Sequence, residues 1–308
     1  MKTIHVVLCT DENYAQHAGV TIVSMVYNSK PDSPITFHII NDDLSQETRS
    51  KLQEVIAKYN AEINFIDIDS TVFDHLPVLK HISKATYYRL MIEEILPTSV
   101  EKVLYVDVDL IARVDIRKLW DICIEKYHVG AIREIGSDDK SISLRQTLGI
   151  PQKEPYFNAG VLLINLKKWR EHAVGRNVLQ FVNEKIKDIY FADQDGLNAI
   201  LWGKWLPIHP RWNVHREALR KYYKWDRNDL SPEFIAAIKY PHIVHFAGPN
   251  KPWMGDAVPY TEEYYHYLSM TPWKGFRPPC SGLKYFIRKY KWQLRRSMVN
   301  FLDNIQSD

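Results

Sequence analysis

The sequence predicts an α/β protein with a mostly parallel sheet flanked by helices, and three observations carry that prediction. Short β-branched runs alternate with helix-length periodic segments through the first half of the chain. One of these runs, "KVLYVDVDLIARVD" (102–115), is apolar at nearly every position, as a strand buried on both faces would be. It nevertheless carries two aspartates, two positions apart, where the carboxyl end of a strand would face a ligand.

The elements follow in order. "TIHVVLCT" (3–10) reads as the first strand, and not as a signal peptide, because no small-residue cleavage site follows it. Asp11 then precedes a helical stretch from Tyr14 to Tyr27. "ITFHII" (35–40) is a second strand, and "LSQETRSKLQEVIAKYN" (44–60) a helix capped by Ser45. "EINFIDI" (62–68) is a third strand, and residues 84–95 are helical. Later, "YFNAGVLLINLKKW" (156–169) contains a strand, and "DQDGLNAILW" (193–202) starts a helix. Between residues 205 and 253, Pro, Trp and His break any period, so loops and isolated strands are expected.

The composition sets bounds on this plan. The 308 residues are 45% hydrophobic and 25% charged, an ordinary globular balance. No run reaches the roughly 18 apolar residues of a membrane span. Cys9, Cys123 and Cys280 are widely spaced and lack metal-site spacing, which points to a reducing cytoplasm. Net charge is +3 but unevenly spread: Tyr264 to Leu302 holds eight Lys or Arg and no Asp or Glu. Residues 1–263 are therefore mildly acidic, and 264–308 form a basic unit distinct in composition.

Asp is depleted from strands, and burying an unpaired carboxylate costs several kcal/mol, roughly. On a strand, Asp107 and Asp109 would point to one face, where they repel unless a cation or proton lies between them. Four readings meet this pattern: a strand-end turn, a divalent-metal site for a diphosphate, a haloacid-dehalogenase-type phosphatase pair, and a fragment of a calcium loop. The phosphatase motif expects Thr or Val where Ile111 stands, and the calcium loop lacks its Gly and distal Glu. Spacing alone gives the metal reading only a small advantage. Asp11, Asn13 and Tyr14 follow the first strand on the ligand side, where a carboxylate or amide can bond a ribose or base and Tyr can stack. Equally, they could cap a helix. In "IVHFAGPNKPW", His245 ends a β-branched run and a glycine turn leads to Lys251, a point charge suited to phosphate.

Six blocks, "TDENYA", "ATYYRL", "VLYVDVDL", "FNAGVLLINLKKW", "DQDGLN" and "HFAGPNKPW", stand in the order and spacing of a known family. From about Ile4 to Trp253 the chain resembles a retaining glycosyltransferase of family 8, with the GT-A nucleotide-diphospho-sugar transferase fold. It is most similar to bacterial enzymes that add galactose or glucose to lipopolysaccharide and other surface glycans. The resemblance implies that Asp107, Asp109 and His245 bind Mn²⁺, or Mg²⁺ in its place, bridging the diphosphate of a UDP-hexose. Two carboxylates and an imidazole with open positions suit Mn²⁺ better than Ca²⁺. It also implies donor contacts from Cys9, Asp11, Asn13, Tyr14, Val108, Gly248 and Lys251. Arg89 would reach the donor sugar and phosphate, although alone it reads as a helix-surface arginine. Asn158, Asp193 and Gln194 would line the sugar pocket as catalytic candidates, though Asp193 could simply cap a helix. His81 falls near the acceptor. Where relatives carry an Asp, this chain has Glu134, with Asp138 and Asp139 further on, which leaves the acceptor-side carboxylate open.

Retention of configuration is implied by the family, and a front-face route is favoured over double displacement on Asp193 or Gln194. Residues 1–263 are expected to form the catalytic domain. In 264–308, Leu283, Phe286, Ile287, Tyr290, Leu294 and Phe301 recur at helical spacing beside Lys284, Arg288, Lys291 and Arg295. That pattern suits an amphipathic helix on the anionic inner face of the cell membrane, where a glycan or lipid-linked acceptor would be met. A helix packed on the domain is the plainer alternative. Nucleic acid is not expected as a partner, because the body is acidic. A phosphatase or nucleotide-sugar hydrolase, and a non-catalytic nucleotide-sugar-binding protein, are the competing functional classes.

Overall fold

The computed structural model describes residues 3–77, 83–135, 144–223, 230–255 and 258–278, with seven positions between 287 and 298. His81, Asp138 and Asp139 lie outside the described residues, as do Cys280 and most of the C-terminal stretch.

Seven strands form the central sheet: β1 (Ile4–Cys9), β2 (Ile35–Asn41), β3 (Ala61–Asp67), β4 (Lys102–Val106), β6 (Val129–Arg133), β7 (Phe157–Asn165) and β8 (Trp205–Pro207). Their order is β3-β2-β1-β4-β7-β6-β8. All pairings are parallel except those of β7, which runs against both β4 and β6. A second sheet of three short strands, β5 (Leu110–Ala112), β9 (Val214–His215) and β10 (Ile243–His245), has the order β5-β10-β9.

Helices cover both faces of the large sheet, so strand residues are buried alternately into two cores. In β1, Val6 and Leu8 join one core and Val7 and Cys9 the other; in β4, Leu104 and Val106 oppose Val103 and Tyr105. This double burial explains the near-continuous apolar runs. Helix α1 (Ala15–Asn28) follows β1 and α2 (Gln46–Ile56) follows β2, with Ser45 Oγ accepting the amide of Thr48 as the expected cap.

Three expectations are corrected. The run 102–115 is two strands: β4 ends at Val106, and β5 belongs to the other sheet. Asp107 and Asp109 lie in the crossing between sheets, anchored by Asp107 N–H to Gly160 O (2.9 Å) and Phe246 N–H to Asp109 O (2.9 Å). Two carboxylates are tolerated there because Arg89 pairs with Asp107 and Lys251 and His245 with Asp109. Residues 84–95 are mostly 3₁₀ (Lys84–Met91), with a single α-helical turn at Ile92–Ile95. The aperiodic region contains two helices, Arg216–Tyr223 and Pro232–Lys239, each too short for periodicity to register.

Helix Thr261–Leu268 crosses the 263/264 division suggested by composition. Tyr264 is buried, and its hydroxyl lies 2.6 Å from His17 Nδ1 on α1. Further on, Trp273 lies so close to α1 that a Cβ on Gly19 would meet its ring at 2.9 Å. The packed body therefore runs beyond the point where charge changes sign.

Candidate active site

One cavity of about 1120 Å³ opens beyond the carboxyl ends of β1 and β4. It brings together Cys9, Tyr14, Arg89, Asp107, Val108 and Asp109 from the first half of the chain. From the second half come Asn158, Asp193, Gln194, His245, Gly248 and Lys251. Asp11 and Asn13 do not line it: Asp11 Oδ1 accepts the Tyr14 amide at 2.9 Å, a helix-start role, and Asn13 is exposed. Burial pushes the Cys9 thiol up, so it contributes backbone and packing rather than a thiolate.

The polar centre is Asp107, Asp109 and His245, whose donor atoms all lie within 4.8 Å of one another. His245 Nε2 is 3.0 Å from Asp109 Oδ1 and 3.6 Å from Asp107 Oδ2. Lys251 Nζ pairs with Asp109 Oδ2 and also donates to Phe246 O at 2.8 Å. Burial alone would raise Asp109, but Lys251 and His245 outweigh it and hold the carboxyl well below the usual range. Burial alone would lower His245, yet the Asp109 charge and hydrogen bond take it above its ordinary value. A Cβ on Gly160 would sit 2.3 Å from His245 Cε1 and 2.9 Å from Asp107 Oδ2, so a glycine is required beneath the cluster. Two carboxylates and one imidazole, converging over a glycine and facing a cavity, fit a divalent cation such as Mn²⁺ or Mg²⁺.

Arg89 is no surface residue. It is 4% exposed, and its guanidinium lies 4.3 Å from the centroid of the Tyr105 ring. It donates to Ala159 O at 2.6 Å, and pairs with Asp193 Oδ2 at 2.8 Å and Asp107 Oδ1 at 3.3 Å. Asp193 Oδ1 accepts from Thr86 Oγ1 at 2.8 Å. Burial pushes Asp193 up, Arg89 and the Thr86 hydroxyl pull the other way, and the balance stands at about 6. The helix cap reading of Asp193 is not met, since the N-cap is Ala192, which has a positive φ of 51°. Non-glycine residues in such conformations concentrate at functional sites. Gln194 Oε1 accepts the Ala159 amide at 2.8 Å, and its Nε2 donates to the Tyr156 hydroxyl at 3.3 Å.

On the far wall, Asn158 Nδ2 donates to Glu134 Oε2 at 2.7 Å, and His215 Nε2 lies 2.9 Å from Glu134 Oε1. Burial alone would raise Glu134, but His215 and the Asn158 amide bring it down to about 2. Glu134 is thus an ionised carboxylate on the cavity wall. Sequence reasoning missed His215, Asn213, Tyr105 and Gly160. Only Gly160 carried a local signal, a glycine inside a strand.

The chain matches Glycosyl transferase family 8 over residues 5–257. It belongs to that family. Among its relatives, General stress protein A of Bacillus subtilis is 31% identical over 283 residues, covering 91% of this chain and 98% of the relative. The lipopolysaccharide 1,3-galactosyltransferase of Salmonella typhimurium is 26% identical over 270 residues, covering 85% and 77% respectively. A crystal structure of the galactosyltransferase LgtC with donor and acceptor sugar analogs superposes with a TM-score of 0.79 at 28% identity. That match spans 89% of this chain and 100% of LgtC, and gives this family 8 glycosyltransferase the GT-A fold.

Proposed function

We propose that the protein is a metal-dependent, retaining hexosyltransferase that moves galactose or glucose from a UDP-sugar to a cell-surface glycan or glycolipid. The observation that carries this reading is the Asp107–Asp109–His245 cluster, placed in the cavity with Lys251 and Arg89 beside it and Tyr14 at its rim. A divalent cation held there would supply positive charge to the departing diphosphate. Lys251 adds a second cation within reach, and Tyr14 offers a ring for the base.

The mechanism we favour is front-face. Asp193 is 1% exposed and clamped by Arg89 and Thr86, and the Gln194 carbonyl is engaged by a backbone amide. Neither is free to attack an anomeric carbon. In the front-face route the acceptor oxygen bonds to the anomeric carbon as the bond to UDP breaks, and the acceptor proton passes to the leaving phosphate oxygen. Arg89 orients Asp193 and Asp107, while Glu134 offers a carboxylate to a sugar hydroxyl.

The tail supports a membrane-surface role. Ile287, Tyr290, Leu294 and Met298 lie at helical spacing and are 45–63% exposed, which leaves these four side chains open to an apolar surface. Leu283, Phe286 and Phe301, and all of the basic stripe except the exposed Lys291, lie outside the described residues. Among the described residues no helix is long and apolar enough to cross a membrane. We place the start of this segment after Arg277, and the catalytic domain before it.

Labelled UDP-galactose and UDP-glucose, incubated with Mn²⁺ and a panel of glycan acceptors, test the reading. Transfer that needs both metal and acceptor is expected. Equal release of free sugar with and without acceptors would favour a hydrolase, and activity undiminished by a chelator would remove the metal.

A further inference from the structure

A buried polar chain runs from the acceptor-side wall to the metal cluster, and its hydrogen-bond polarity has one consistent solution. Glu134, ionised, only accepts, so Asn158 must present its NH₂ to Glu134 Oε2 (2.7 Å). Asn158 Oδ1 is independently fixed as an acceptor by the backbone N–H of Gly160 at 2.9 Å. That same oxygen lies 2.7 Å from Asn213 Nδ2, so Asn213 must donate to it. The carbonyl of Asn213 is then left facing His245 Nδ1 at 2.9 Å, and can only accept. His245 must therefore carry its proton on Nδ1, which directs Nε2 toward Asp109 and Asp107. Asn213 is 1% exposed, so water does not compete for either end of its amide.

We propose that Asn213 is a positioning residue: it fixes the ring and tautomer of His245 so that the Nε2 lone pair faces the cation, and locks that ring to Asn158. The proposal rests on the metal reading above. It extends that reading to a side chain that touches neither carboxylate ligand, and outer partners of this kind commonly alter metal affinity by about 10–100-fold. The placement follows from β9 lying beside β10, with Val214 opposite Val244 and His215 opposite His245. Asn213, immediately before β9 and two residues before His215, is thereby held within side-chain reach of the His245 ring.

The test is Mn²⁺ affinity, read from the electron paramagnetic resonance signal of free Mn²⁺ with UDP present and no sugar or acceptor. Asn213→Leu keeps the shape but removes both polar ends, and should weaken Mn²⁺ binding about 10–100-fold. Asn213→Asp keeps the acceptor for His245 but gives up the donor to Asn158 Oδ1, and should weaken binding less than Asn213→Leu does. Wild-type affinity in Asn213→Leu would overturn the proposal. So would equal weakening in both variants, which would mark a packing role. Should the Leu variant fail to fold, ¹⁵N NMR of the Cd²⁺-loaded wild type decides: metal on Nε2 with a proton on Nδ1 is expected, and the reverse overturns it. Absence of Mn²⁺ binding by the wild type would instead bring down the metal reading itself.

Discussion

Gly160→Ala is the sharpest single probe of the cation site. The new Cβ would lie 2.3 Å from His245 Cε1, 2.7 Å from its Nδ1 and 2.9 Å from Asp107 Oδ2. Carbon atoms normally approach to about 3.5 Å, so the imidazole or the strand must move by about 1.2 Å. The strand cannot easily give. On the β4 side the pairing runs to Val161 and Gly160 O accepts the Asp107 amide, and Gly160 N–H is bonded to Asn158 Oδ1, although the pairing with β6 skips from Asn158 to Leu162. The ring is the softer element, and turning it breaks the Asn213 bond and lifts Nε2 from Asp109. Misplacing a catalytic group by about 1 Å costs about 100-fold in rate, and overpacking of this kind costs about 1–3 kcal/mol in stability. Transferase activity across a Mn²⁺ titration, with melting temperature measured alongside, should show a folded protein with at least that loss and weakened metal dependence. A Gly160→Ala protein with wild-type turnover and the wild-type Mn²⁺ requirement would refute the geometry.

Asp109→Asn should lower turnover about 100-fold or more at saturating Mn²⁺, since charge beside the diphosphate is lost. The protein should stay folded because Lys251 keeps the Phe246 carbonyl; unchanged turnover would exclude Asp109 as a ligand. Acid should destabilise the fold through His17, which burial takes down to about 3 where it stacks on Trp253 at 3.8 Å. The folded state favours the neutral ring, so this contribution is intact above the unfolded value near 6.5 and is lost as pH falls toward 3, by about 1.4 kcal/mol per pH unit. Urea midpoints between pH 7 and 5 should fall less steeply in His17→Phe than in wild type, and parallel slopes would contradict the assignment. Removing residues 278–308 should abolish binding to anionic vesicles while sparing transfer to a short water-soluble acceptor. Wild-type binding should weaken with salt, and equal vesicle binding by both proteins at low salt would sink the membrane reading. Cutting at Pro272 would be a poorer test, because it also removes Trp273 from its seat against α1.

Much of this protein was legible in one dimension. The alternation of β-branched and helical segments determined the parallel sheet, because burial on two faces leaves its mark on every residue of a strand such as β1. The six ordered blocks carried the family, and with it the Asp107–Asp109–His245 cluster and the Arg89, Asp193, Gln194 and Lys251 side chains that share its cavity. The sequence by itself could not show that Asp107 and Asp109 sit in a gap between two sheets, since the apolar run continues across the gap without a break. Nor could it show Arg89 buried between two aspartates: a 3₁₀ turn places its guanidinium over Tyr105, and only partners 16 and 104 positions away make a buried arginine affordable. Asn213 and His215 lacked any signal at all. Their roles arise from β9 lying beside β10, and a pairing between strands 30 residues apart is decided by the packed tertiary structure and by no local preference of either segment.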